Sequence, residues 1–132
     1  MTRTYRSAEL HIHRACLHYL QLTLPGAVIH HSPNGFGISL PAGFPDKWRG
    51  LVLGLIARAV SLAKLMGMMD GFPDLLVIYN GVTMGFEVKA EGGTQSIAQR
   101  GVHASFMVNG ARYAVVRSID DVKEKLQNWG VI

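Results

Sequence analysis

The sequence predicts an α/β fold, a single domain with a mixed β-sheet flanked by helices. Three observations carry that expectation. Stretches with apolar residues at near-helical spacing are interspersed with short apolar runs of β type. An Asn80-Gly81 pair separates two such runs, the strongest short-range signal of a hairpin. The 132 residues are 48% apolar, enough for one real core, and no linker or low-complexity tract divides them, so residues 1–132 read as one domain.

The elements follow in order. Ala8 to Leu22 carries Leu10, Cys16, Leu17, Leu20 and Leu22 at helical spacing and is closed by Pro25-Gly26. Ala27 to His31 is a short first strand. Ser32-Pro33-Asn34-Gly35 opens a Gly/Pro-rich loop that is expected to run to Gly50. Leu51 to Met69 then reads as a helix apolar on nearly every face, which predicts deep burial or burial against a second copy of the chain. Leu75 to Tyr79 is a strand, and Thr83 to Val88 should return antiparallel to it through Asn80-Gly81. A helix over Ile97 to Val108 ends at Asn109-Gly110, and Arg112 to Val116 is a further strand. Ser118-Ile119-Asp120-Asp121 reads as a capping box for a last helix reaching about Trp129.

Composition excludes several classes. At 17% charged residues the chain is neither a disordered polyelectrolyte nor a coiled coil, and its net charge of +4 leans toward a polyanionic partner. One cysteine, Cys16, rules out an intrachain disulfide and fits a reducing compartment. The first residues lack the apolar run of a signal peptide, and Arg58 and Lys64 interrupt the one membrane candidate, Leu51 to Met69. The expectation is a soluble cytoplasmic protein.

Three polar residues sit where apolar strands need a reason to hold them. Asp74 opens a strand after Pro73, and Glu87 and Lys89 are separated by one residue in Phe86-Glu87-Val88-Lys89-Ala90. Alternation puts Glu87 and Lys89 on one face, with Phe86 and Val88 on the other. The hairpin folds Asp74 back toward Glu87, so two carboxylates and one ammonium converge. Paired carboxylates are the hard oxygen ligands Mg²⁺ prefers, and such an ion can activate water and offset charge on a phosphodiester. A lysine beside it can hold the attacking water. The structural alternative is a solvated strand face carrying a charge pair.

Gly-Phe-Pro-Asp occurs twice, at Gly43 to Asp46 and at Gly71 to Asp74. Only the second leads into a strand with a Glu-x-Lys at hairpin distance, so Asp46 is assigned to a turn or helix start and Asp74 to the site.

The pattern Lys64-Leu-Met-Gly67-Met-Met-Asp-Gly71-Phe-Pro73-Asp74-Leu75, then Glu87-Val-Lys89, then Gly93-Thr-Gln-Ser96-Ile-Ala-Gln99 and His103, resembles the VRR-NUC family of PD-(D/E)xK nucleases. The resemblance covers nearly the whole chain, including a first helix with Glu9 and the His31-Ser-Pro33-Asn34-Gly35 segment. It implies a restriction-endonuclease-like core. It also implies Asp74 and Glu87 as metal ligands with the Val88 carbonyl, and Lys89 as the catalytic lysine. Gln99 would be an accessory glutamine, and Glu9 a glutamate approaching the metal directly or through water. The chain departs from the family at His13, where glutamine is common, and at Gln95 and Ile97, where leucine and proline are common.

Gln99 has a second reading, because Ser96-x-x-Gln99 is a capping box, and both can hold. Of the six histidines, His11 and His13 lie two apart on a helix and share no face, so a zinc site is not expected. His31 either lines a DNA groove or serves ordinary packing. Arg3, Arg6, Lys47, Arg49, Arg100 and Arg112 are candidate phosphate contacts or plain surface charges. Trp48, expected in a loop, either stacks on an unpaired base or anchors that loop.

The resemblance implies an endonuclease using Mg²⁺, with Mn²⁺ able to substitute, that acts on DNA. Stand-alone domains of this size resemble Holliday-junction resolvases that work as homodimers, with the Leu51–Met69 helix as the expected interface. The alternatives are a flap, single-strand or RNA-directed nuclease, or a catalytically silent nucleic-acid-binding module.

Overall fold

The computed structural model describes residues 3–33 and 39–132. The side chains of Arg3 and Arg6, and residues Asn34 and Gly35, lie outside the described residues. The elements run α1 (Arg3–Thr23), β1 (Val28–His31), α2 (Asp46–Leu65), β2 (Leu75–Tyr79), β3 (Val82–Val88), α3 (Ile97–Val108), β4 (Arg112–Val116) and α4 (Ile119–Asn128). They fall into two compact units, Met1–Ser32 with Gly71–Ile132, and Pro33–Asp70.

The larger unit is built on a four-stranded sheet of order β1-β2-β3-β4, with β1, β2 and β3 antiparallel and β4 parallel to β3. At the hairpin, Asn80 (φ 47°) and Gly81 (φ 78°) both take the left-handed conformation that a two-residue I′ turn demands. The register then pairs Tyr79 with Val82 and runs unbroken to Leu75 opposite Phe86. Alternation puts Leu75, Val77, Met84, Phe86, Val88, Ala114 and Val116 on one face. There they close a core with Cys16 and Leu20 of α1, Leu24, and Val122 and Leu126 of α4. α3 lies over the other face, where Phe106 meets Gly85 and Tyr113. α1 starts five residues earlier than the apolar spacing alone suggests, since no breaker stands before Ala8.

The smaller unit contains α2. It begins at Asp46 rather than Leu51, so the last five residues of the loop expected to run to Gly50 are helix. Pro45 at the N-cap has its φ preset at −60°, and the Asp46 carboxylate suits a helix N-terminus. It ends at Leu65 rather than Met69 because Gly67 turns the chain at φ 108°, with Lys64 paired to Asp70 at 3.1 Å. Contrary to the expectation of deep burial, no residue of α2 is buried. Trp48 therefore lies in the first helical turn, not in a loop, and is half-exposed with the Lys47 ammonium 5.4 Å from its ring centroid. Among the described residues no helix is long and apolar enough to cross a membrane.

The two Gly-Phe-Pro-Asp copies differ physically. A Cβ on Gly71, whose φ is +82°, would drive into the backbone of Ala98 and come within 2.6 Å of the Gln99 nitrogen. A Cβ on Gly43 would meet nothing within 4 Å. Gly71→Ala should therefore destabilise by more than about 2 kcal/mol, from positive φ and backbone collision together. Gly43→Ala should stay within about 0.5 kcal/mol of wild type. Urea unfolding of both variants checks the pair; equal losses would contradict this packing.

Candidate functional site

Continuing the β2–β3 register by one residue beyond Leu75 and Phe86 sets Asp74 opposite Glu87. The Asp74 carboxyl lies close enough to Glu87 to oppose its ionisation. Asp74 is held from three sides. Its Oδ2 accepts the Val88 backbone N–H at 2.7 Å, and its carbonyl accepts from Ser32 N at 3.1 Å and lies 3.0 Å from His31 Nδ1. The end of β1 thus pins the start of β2.

Glu87 is 2% exposed and Lys89 8% exposed, on the face of β3 turned toward α3, with Lys89 Nζ 3.6 Å from Glu87 Oε1. A solvated strand face is ruled out by that burial. Gln99 Nε2 donates to the same Glu87 oxygen at 2.6 Å, while Gln99 Oε1 accepts from Ser96 N at 2.8 Å and Ser96 Oγ accepts from Gln99 N at 3.1 Å. One amide closes the capping box, as the sequence predicts, and also touches the carboxylate. The other expected box is incomplete. Ser118 Oγ accepts from Asp121 N at 3.2 Å, but Asp121 Oδ2 accepts from Arg117 N at 2.8 Å instead of reaching Ser118 N.

A cleft of about 280 Å³ opens beside Asp74, lined by Glu9, Leu10, His13, His31 and Val88. Glu9 sits close enough for Lys89 and Asp74 to act on it; burial raises its pKa, Lys89 opposes that shift, and Asp74 adds to it. His13 meets His31 edge to face with ring centroids 4.8 Å apart. Its pKa is lowered by burial and then by His31, with Asp74 opposing. His31 thus lines the cleft. His13, noted in the sequence only as a departure from the family, does so as well.

The candidate phosphate contacts separate. Arg112 begins β4, at the hairpin end of the sheet and away from the carboxylates, so it does not join this cluster. Arg100 follows Gln99 on α3 and lies 3.4 Å from the Gln95 carbonyl. Lys47, Trp48 and Arg49 belong to the smaller unit, where Arg49 approaches Asp46 at 3.5 Å. Two residues without any sequence signal complete the surroundings. Tyr113 Oη lies 3.5 Å from Glu87 Oε2, and Arg117 donates to the carbonyls of Ala90 and Gly93, each at 2.7 Å, bracing the loop between Lys89 and α3. Tyr113 reaches Glu87 only through β-strand pairing, which no local pattern encodes.

The electrostatics fit a hard divalent cation. Burial first, and Asp74 second, push the Glu87 carboxyl up to about 8, with Lys89 pulling the other way. Two facing carboxylates with one partly offsetting ammonium are the charge imbalance such an ion relieves. Among the described residues no three His, Cys, Asp or Glu side chains group around one metal position. One or two carboxylates plus water is nonetheless an ordinary Mg²⁺ donor set.

The fold and this cluster define an α/β domain with a two-carboxylate, one-lysine centre. Among solved structures, the chain is similar to one described as "VRR_NUC domain", at TM-score 0.56 and 22% identity, over 92% of this chain and 95% of that one. Another, described as "VRR_NUC domain protein", aligns at TM-score 0.49 and 22% identity over 75% of this chain and 64% of that one. No family model matches the sequence, and no curated protein matches it. The first likeness shows that the chain has the fold of a VRR-NUC domain, as the sequence resemblance implies.

The raised pKa of Glu87 has a measurable consequence in the metal-free protein. An acid whose folded pKa lies above its ordinary value of 4.5 contributes stability that is fully present below that value and is lost as pH rises through about 8. In EDTA, the Tm of wild type relative to Glu87→Gln should fall by at least about 4 °C between pH 5 and pH 8.5, roughly 1 kcal/mol for a domain of this size. Parallel melting curves of the two proteins across that range would contradict the assignment.

Proposed function

We propose that this protein is a metal-dependent endodeoxyribonuclease that hydrolyses phosphodiester bonds in structured DNA, with Asp74, Glu87 and Lys89 at its centre. The observation that carries this reading is the meeting of the Asp74 and Glu87 carboxyls at the end of a buried strand, with the Lys89 ammonium 3.6 Å from Glu87. The VRR-NUC fold supports it.

A divalent ion, Mg²⁺ or Mn²⁺, would be held by Asp74 and Glu87, with the Val88 carbonyl and Glu9 as further candidate ligands lining the same cleft, and would lower the pKa of a bound water and neutralise phosphate charge. The chain's own groups do the rest. Lys89 Nζ, kept in place by Glu87, donates to the attacking water and presents positive charge to the phosphate. Gln99 holds one oxygen of Glu87 from the first turn of α3. His31 lines the cleft through which a DNA strand reaches Asp74, and Arg100 on α3 offers a charge to a flanking phosphate. Lys47, Trp48 and Arg49 form an exposed basic and aromatic turn suited to further backbone contact or base stacking.

We place the protein in the reducing cytoplasm of a bacterial or phage-infected cell, where its one buried thiol stays reduced. We further propose a homodimer through α2, and a four-way junction as substrate. Trp48, Leu51, Leu55, Leu62 and Leu65 are exposed at the three- and four-residue spacing of a coiled-coil seam, with Arg58 as its one charged position. A two-fold partner would cover that seam and supply a second centre for paired cuts.

Cleavage of a labelled four-way junction, flap, linear duplex and single strand, each with Mg²⁺, Mn²⁺ or EDTA, tests the activity. Metal-dependent paired cuts in the junction are expected. Asp74→Asn should abolish them while DNA binding persists, and Lys89→Ala should slow them by about 10²- to 10³-fold. Preference for the flap or single strand would remove the junction claim alone; binding without cutting would favour a silent module. The dimer is tested separately: Leu55→Glu combined with Leu62→Glu should halve the mass seen by light scattering, and an unchanged mass would move the interface off α2.

A further inference from the structure

The polar residues around Glu87 extend beyond the cluster described so far. Glu87 Oε1 already takes Gln99 and faces Lys89, so the remaining oxygen, Oε2, is what leaves the carboxylate free to rotate. The group facing Oε2 is the Tyr113 hydroxyl, at 3.5 Å. Tyr113 is 5% exposed, and its ring is fixed on two sides. His103 stacks on it with centroids 4.2 Å apart and planes 15° from parallel, and Phe106 meets it edge-on at 5.5 Å. The hydroxyl has a second polar neighbour in the Gln95 side chain, which acts to lower the Tyr113 pKa, and the Gln95 amide lies 3.4 Å from His103 Nδ1. A Gln95 N–H donated to the phenol oxygen uses an acceptor lone pair there and leaves the O–H proton for the carboxylate.

We propose that Tyr113, clamped by His103 and oriented by Gln95, is a positioning residue that holds the second oxygen of Glu87 and so sets the carboxylate for divalent-cation binding. This rests on the function proposed above. Hydrogen-bond partners that orient a ligating carboxylate commonly change metal affinity by one to two orders of magnitude when removed. Gln99 and Tyr113 would then grip one oxygen each, from α3 and from β4. The carboxylate needs both grips because rotation about its last bond is otherwise broad and roughly two-fold.

The test is calorimetric titration of the full chain with Mn²⁺ alone, beside thermal melts in EDTA. Tyr113→Phe keeps the ring contacts and removes only the hydroxyl. It should weaken Mn²⁺ binding by about tenfold while shifting the EDTA midpoint by no more than about 2 °C. His103→Ala, which unstacks the ring, should lose a similar factor, whereas His103→Phe, which preserves the stack, should retain affinity close to wild type. Wild-type Mn²⁺ affinity in Tyr113→Phe overturns the inference and leaves the nuclease reading standing. So does a loss of affinity matched by an equal loss of stability in EDTA, which marks general loosening instead. A wild-type chain that binds no Mn²⁺ overturns both.

Discussion

Asn80 and Gly81 turn the chain back with φ of 47° and 78°, and the pairing they begin runs without a bulge from Tyr79 and Val82 to Leu75 and Phe86. Every feature of the site depends on that register. Because side chains alternate along a strand, a slip of one residue would send Glu87 and Lys89 into the space held by Phe86 and Val88 and break the core. The core therefore enforces the register, and the register places Asp74 beside Glu87. Val88 serves both ends: its side chain is buried with Phe86 while its backbone N–H holds Asp74 Oδ2.

Bringing the two carboxylates together is unfavourable for the empty fold. Glu87 is nearly inaccessible to water, and the Asp74 charge beside it opposes ionisation. The surrounding groups offset the strain without removing it. Lys89 supplies one charge, and Gln99 and Tyr113 supply neutral donors. Under the function proposed above, a divalent cation would offset that repulsion, and binding it would add stability to the fold. The same arrangement explains the care with which the surroundings are held, from the His31 contact with the Asp74 carbonyl to the Arg117 brace under the loop leading to α3.

The repeated Gly-Phe-Pro-Asp shows how little a short motif determines alone. In the second copy, Gly71 lets the chain pass against the first turn of α3, and Asp74 enters a strand with a partner. In the first copy, Gly43 has open space, and the Asp46 side chain is 98% exposed at the start of a helix, where Arg49 approaches it. Identical local chemistry thus has two outcomes, decided by what packs beside it.

Local rules were enough for much of this protein. The I′ turn at Asn80-Gly81, the strands around it, the Ser96–Gln99 capping box and the face shared by Glu87 and Lys89 all follow from contacts within a few residues, and these were legible in the sequence. The meeting of Asp74 with Glu87 was legible for the same reason, since a two-residue turn leaves one register. Two contacts were decided only by tertiary structure, whereas the bounds of α2 were set by local breakers. Tyr113 reaches Glu87 because β4 lies parallel to β3 with Gly85 opposite Tyr113, a pairing across 28 positions of sequence. His13 and His31 meet because packing brings α1 and the end of β1 to the same cleft. The bounds of α2 depended on Pro45 and Gly67, whose effect on a helix outweighs the apolar pattern between them. Periodicity and turn chemistry report on neighbours along the chain, whereas side chains that converge from different elements are selected by packing, which has no signature in either.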